Sequence, residues 1–156
     1  MPRIEKAIEI DVPVSRAYLL LTQFEGLPQF IEGVERVQLL DARHILWRPS
    51  ARNALEEAEV EITEQTPNRR LAWRTTDAGP SPQHALPPHT GLIRFEEAAP
   101  DRTMLYLLID YEAPGPLGPV ESLLRTLERR VERDLKRFKA YAELGVPQTR
   151  RRAHAR

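Results

Sequence analysis

The sequence predicts an α+β fold: an antiparallel sheet of seven strands covered on one face by a long C-terminal helix, with two short helices after the first strand. Three observations carry this. Alternation of apolar and polar residues with a period of two recurs in seven segments. Most connectors between the later segments are short and rich in turn residues, which joins neighbouring strands antiparallel. Finally, "GPVESLLRTLERRVERDLKRFKAYAEL" (118–144) is a long amphipathic stretch, and a sheet with one apolar face needs such a cover.

The elements follow in order. "RIEKAIEI" (3–10) sets Ile4, Lys6, Ile8 and Ile10 against Glu5, Ala7 and Glu9, a strand pattern. Pro13 suits a first helical turn, so "PVSRAYLLLTQF" reads as a short helix, stopped near Gly26 and Pro28. "LPQFIEG" reads as one more helical turn. Six strands then follow: "VERVQLLD", "RHILWRPS", "ALEEAEVEITEQ", "RRLAWRTT", "TGLIRFEEA" and "RTMLYLLIDYEA". Asp41-Ala42, Thr66-Pro67-Asn68 and Ala99-Pro100-Asp101 supply turns between them. In the final helix, Val120, Leu124, Leu127, Val131, Leu135, Phe138 and Ala142 recur at steps of three and four. Gly145 and Pro147 are stop signals. The expected division is a domain over 1–147 and a basic, disordered tail over 148–156.

Composition restricts the function classes. The chain has 156 residues and balanced charge, 23 basic against 23 acidic. Four of the arginines lie in "RRRAHAR" (150–156), so the body is mildly acidic and no nucleic-acid surface is expected. Without cysteine there are no disulfides and no thiolate nucleophile. The N-terminus lacks the apolar run of a signal peptide, and no window approaches a membrane span. The expectation is a cytoplasmic protein. His84 and His89 in "HALPPH" have no accompanying carboxylate, so neither a metal nor another cofactor is expected.

"EITEQTPNRRLAWRT" (61–75), "PQFIEGVERVQLLD" (28–41) with Trp47-Arg48 after it, "IDYEAPGPLG" (109–118) and "RRVERDLKRFKAYAE" (129–143) together resemble the polyketide cyclase/dehydrase branch of the START-like (SRPBCC) superfamily. The resemblance runs from about Ile4 to Glu143. It implies a helix-grip fold, in which a curved sheet wraps the long helix around a cavity. The stretch 77–91 is longer than the family's usual connection there. With 24–33, it is a candidate gate.

Strand alternation turns Trp47, Val60, Ile62, Trp73, Thr75, Phe95, Leu107, Ile109 and Tyr111 inward, toward Leu124, Leu127 and Val131 of the helix. With Phe30 these are the candidate ligand-binding residues. Leu39 reads as inward too, whereas His44, Arg48 and Arg74 read as outward. Asp134 falls beside the helix stripe, where an ion pair with Arg130 is expected. Tyr111 is the one catalytic candidate.

The expected function is binding or transport of a hydrophobic small molecule: a lipid, an isoprenoid quinone or a polyketide-like aromatic. One alternative is a cyclase, aromatase or dehydratase-like enzyme using Tyr111 as acid or orienting group. Another is a non-catalytic interaction module, as in the superfamily's ribosome-associated toxins. Met104, Tyr106 and Leu108 alternate onto the outer face, where Leu46 and Leu92 join them as the expected surface of a homodimer.

Overall fold

The computed structural model describes residues 3–49, 58–76, 89–111 and 120–154, with Pro49, 120–123 and 145–154 described by backbone alone. Seven strands are found among them: β1 (Arg3–Ile10), β2 (Val34–Leu39), β3 (His44–Pro49), β4 (Ala58–Thr66), β5 (Arg70–Thr75), β6 (His89–Ala99) and β7 (Arg102–Tyr111). Between β1 and β2 lie helix α1 (Val14–Thr22) and a 3-10 helix (Phe24–Gln29). Helix α2 (Val120–His154) closes the chain.

The strands form one antiparallel sheet in the order β1-β7-β6-β5-β4-β3-β2. Each step from β2 to β7 joins sequence neighbours; the exception is β1, which pairs with β7 from Arg3↔Asp110 to Ile10↔Thr103. The turn from β4 to β5 shows how the sequence directs this. Asn68 takes φ +64° after Pro67, and Arg69 N donates to Thr66 O at 3.0 Å. A positive φ at the third residue of such a turn is one that Asn tolerates.

Register shifts at Val34/Arg36, Ile62/Glu64 and Glu97/Ala99 interrupt the ladders. Such bulges bend strands and raise their twist, which curls a sheet about whatever lies on its concave side. Here that is α2, which crosses closest to β1. Lys6, on the inner face of β1, pairs with Glu132 at 2.7 Å and Glu128 at 3.1 Å. Lys139 Nζ donates to the Glu9 carbonyl at 2.9 Å, and the Glu143 carboxylate accepts from Asp11 N at 2.8 Å. These two helix side chains occupy backbone groups at the end of β1's free edge and just beyond it, where the edge would otherwise offer a template for another strand.

Burial follows the alternation. Val60, Ile62, Leu71, Ile93, Phe95, Leu105, Leu107, Ile109 and Tyr111 are all buried, and they form one core with Ile4, Leu127, Phe138 and Ala142. Leu39 departs from the expectation, being 45 % exposed at the end of the edge strand β2, where nothing covers it. The stop signals at Gly145 and Pro147 are also overridden. Residues 148–154, expected as a disordered tail, continue α2 to His154. Pro147 brings no N–H for the carbonyl four residues back, so α2 passes it one hydrogen bond short, a local cost that does not stop the residues beyond from continuing the helix. The second helical turn, expected over 27–33, lies instead at Phe24–Gln29. The loop proposed as a gate, 77–91, falls outside the described residues except for His89 to Gly91, which open β6.

Candidate functional site

A cavity of about 200 Å³ lies between the sheet, α2 and the segment joining α1 to β2. Its sheet wall comes from β3 to β7, through Trp47, Val60, Ile62, Trp73, Leu107, Ile109 and Tyr111 among others. Leu127, Val131, Leu135 and Phe138 of α2 face them. Phe24, Leu27, Phe30 and Ile31 close the end between α1 and β2. Phe30 is held there by rings of α2, with centroids 4.9 Å from Phe138 and 5.4 Å from Tyr141.

Ten of the thirteen residues expected at the site line this space: Phe30, Trp47, Val60, Ile62, Trp73, Leu107, Ile109, Tyr111, Leu127 and Val131. The other three do not, each for a local reason. Phe95 lies farther along β6, edge-to-face with Tyr18 of α1 at 5.3 Å, so α1 takes its ring. Thr75 uses its hydroxyl on the backbone of His89, accepting from His89 N at 3.0 Å and donating to His89 O at 3.3 Å. Leu124 packs half-buried against the core without reaching the cavity.

Three polar residues beyond the sequence expectation do line it: His89, Arg130 and Asp134. His89 is 8 % exposed at the start of β6. The Trp73 indole N–H donates to its Nε2 at 3.2 Å, and a ring nitrogen that accepts leaves the proton on Nδ1. The imidazole also lies 5.3 Å from the Tyr111 ring. The expected Arg130–Asp134 ion pair is not made. Both side chains turn instead to the backbone of Glu32: Asp134 Oδ1 accepts from Glu32 N at 2.9 Å, and Arg130 Nη2 donates to Glu32 O at 3.3 Å. Arg133 Nε adds a contact to the Glu32 carboxylate at 3.3 Å. Gly33, at φ +83°, lies against the Arg130 guanidinium, where a Cβ would overlap Nη2. One turn of α2 therefore clasps the chain just after Phe30 and Ile31, and so holds that end of the cavity in place.

The electrostatics follow from burial. The Tyr111 phenol is pushed up to about 12 by loss of solvent, opposed weakly by the charge of Arg130. It is a neutral hydrogen-bond donor through the physiological range. Among the described residues its hydroxyl bonds to no protein group. Burial also raises the Asp134 carboxyl above its ordinary value, against the lowering effects of the Glu32 N–H and Arg130. The interior thus offers apolar and aromatic surface, an unengaged phenol, part of a guanidinium, and one carboxylate edge. The Arg48 and Arg74 side chains are exposed, and His44 belongs to an outer cluster with Asp41 and Glu61.

On that outer face Met104, Tyr106 and Leu108 are half-buried. Leu108 stands opposite Leu92, which stands opposite Ala72, an apolar row across three strands. Arg94 stacks 4.5 Å over the Tyr106 ring, and Met104 lies between Glu9 and Glu96. Leu46, expected in the same patch, is on β3, two strands beyond β5 and Ala72. No helix among the described residues is long and apolar enough to cross a membrane.

A family model described as polyketide cyclase/dehydrase and lipid transport matches residues 10–140. A 17.2 kDa protein encoded in the melC2-rnhH intergenic region of Streptomyces lincolnensis is 36% identical over 143 residues, covering 92% of this chain and 91% of that one. A START superfamily protein from Mycobacterium smegmatis superposes with a TM-score of 0.72 at 14% identity, over 91% of this chain and 97% of its own. The Zhui aromatase/cyclase from a Streptomyces species gives 0.67 at 21% identity, over 90% and 93%. At such identities the two structures share the fold.

Proposed function

Because the chain belongs to the polyketide cyclase/dehydrase and lipid transport family and has its START-like helix-grip fold, we propose that it binds a small, mainly apolar molecule in the cavity between sheet and α2. The carrying observation is the cavity itself, walled by aromatic and aliphatic side chains with a few polar groups turned into it. Size restricts the occupant. A protein cavity of about 150 Å³ accepts benzene, whereas drug-sized ligands need roughly 300 Å³ or more. About 200 Å³ suits one or two fused rings or a short acyl segment. The Tyr111 phenol and Arg130 are both donors, so the occupant carries an oxygen acceptor, such as a keto group, quinone carbonyl or phenol.

Native mass spectrometry of freshly purified protein should show a co-purified small molecule. Calorimetric titration with 2-naphthol, which has a bicyclic body and one hydroxyl, should saturate at one site per chain. If no adduct is seen and 2-naphthol does not bind up to its solubility limit, the reading fails.

A second reading, cyclase or dehydratase-like chemistry, is favoured by one observation: the His89 and Tyr111 rings are neighbours on the cavity wall. In it, Tyr111 donates a hydrogen bond to a substrate carbonyl and polarises it toward the enol, the role of a positioned acid. Full turnover of an identified substrate by Tyr111→Phe would remove that reading. The homodimer through Met104, Tyr106 and Leu108 is a separate proposal. Light scattering at high micromolar concentration tests it, and a monomer counts against it.

A further inference from the structure

Trp73 is paired directly across from Gly91 on β6. Its indole lies down over that glycine. A Cβ built at 91 would overlap Cζ2 and Cε2 of the ring and stand 2.7 Å from Cη2. The backbone of Gly91 has an ordinary φ, so the glycine is not there for a turn. What the position lacks is a side chain, and the indole occupies the room. Lying this way, the ring points its N–H along the strand to His89 Nε2, at 3.2 Å, two residues from Gly91 on the same face. His89 is itself fixed from behind by the Thr75 hydroxyl, at 3.0 Å from its amide.

From this we infer that Gly91 is the specificity-determining position of the cavity, because it sets how far the Trp73 indole stands out from the sheet. This rests on the reading that the cavity takes a ligand. With any side chain at 91 the ring must leave the sheet. It is flanked by strands on either side, so the free direction is inward. A Cβ at 91 would stand well inside the 3.4 Å from the ring at which ordinary contact begins, so the indole is pushed inward and narrows the roughly 200 Å³ available. The indole N–H bond to His89 breaks in the same movement. Residue 91 thus acts on the ligand without touching it, through Trp73, and bulk there selects for smaller occupants.

The test uses Gly91→Ala, and the double variant Gly91→Ala with Trp73→Leu, in the full chain. Two readouts do not require a ligand: the NMR resonance of the Trp73 indole N–H, and xenon-129 shift and affinity, which follow an apolar cavity's volume. The third is 2-naphthol titration. In Gly91→Ala the indole resonance should move to the position of an unbonded N–H. Xenon and 2-naphthol affinity should fall at least about tenfold, while far-ultraviolet circular dichroism stays native. In the double variant both affinities should return to within about threefold of wild type. An unmoved indole resonance in Gly91→Ala overturns the inference, as does a natively folded double variant that stays unable to bind xenon. If wild type binds xenon but shows neither a co-purified molecule nor 2-naphthol binding, the proposed function has failed and the indole and xenon results still decide the role of Gly91.

Discussion

Replacing Gly33 by Ala probes the clasp that holds the end of the cavity. Two costs can be worked out. Gly33 has φ +83°, and a side chain in left-handed backbone costs about 1–2 kcal/mol. The new Cβ also overlaps Arg130 Nη2, so the guanidinium must withdraw from the Glu32 carbonyl it bonds at 3.3 Å. A partly exposed hydrogen bond of this kind contributes on the order of 1 kcal/mol. Together they predict a loss of about 2–3 kcal/mol. For a chain of this size, 1 kcal/mol shifts Tm by roughly 3 °C, so the midpoint should fall by about 6–9 °C. Urea unfolding gives the free energy directly. The decisive comparison repeats Gly33→Ala in an Arg130→Ala background. There the guanidinium is already gone and only the backbone cost of about 1–2 kcal/mol remains. The cycle should therefore show a coupling of about 1 kcal/mol between positions 33 and 130. Equal costs in both backgrounds, or a cost below about 0.5 kcal/mol in the wild-type background, would refute the clasp.

Other outcomes follow from the same geometry. Phe138 is 2 % exposed and packs on Phe30, so Phe138→Ala should destabilise by about 3–5 kcal/mol in urea unfolding. Tyr111→Phe should weaken 2-naphthol about fivefold, the worth of one hydrogen bond near 1 kcal/mol, and leave naphthalene unchanged, as read by calorimetry. The folded-state pKa of Asp134 is raised by burial, so its ionisation disfavours the fold. That stability is whole below the ordinary aspartate value and is lost as pH rises through the raised one. Asp134→Asn should thus match wild type in Tm at low pH and exceed it above that window, because an amide oxygen can still accept from Glu32 N. A constant Tm difference across pH would refute this assignment.

The strands were legible because each buries one face. Periodicity places β1 at 3–10, as found, and Ile62, Trp73, Leu107 and Tyr111 on the wall they occupy. Alternation says which residues point inward, but not which of them meet empty space. Phe95 and Thr75 have the correct parity, yet one is covered by α1 and the other is bonded to His89. His89 was hidden by the prolines before it, which make a strand start look like loop. The signal was present: 89, 91, 93 and 95 share a parity, so a β6 extended by one residue turns His89 inward. Arg130 and Asp134 border the apolar stripe of α2, where charge reads as solvated surface. Only the docking of Glu32 and Gly33 there gives them backbone partners. The end of α2 is not legible from Gly145 and Pro147, because each lowers helix stability locally without ending every helix that contains it.

The pairing of β1 with β7 has a consequence for how the chain is made. Arg3 through Ile10 leave the ribosome well before their partners, which run from Thr103 to Asp110. The 92 residues between Ile10 and Thr103 must be synthesised before β1 has a neighbour, and its other edge waits still longer for Lys139 and Glu143. Closure between such distant segments is slow, since loop entropy is lost before the contacts form. Nascent β1 is therefore long exposed to wrong pairing during translation, and the alternating Glu5 and Glu9 on its outer face are suited to keep it soluble until its partners arrive.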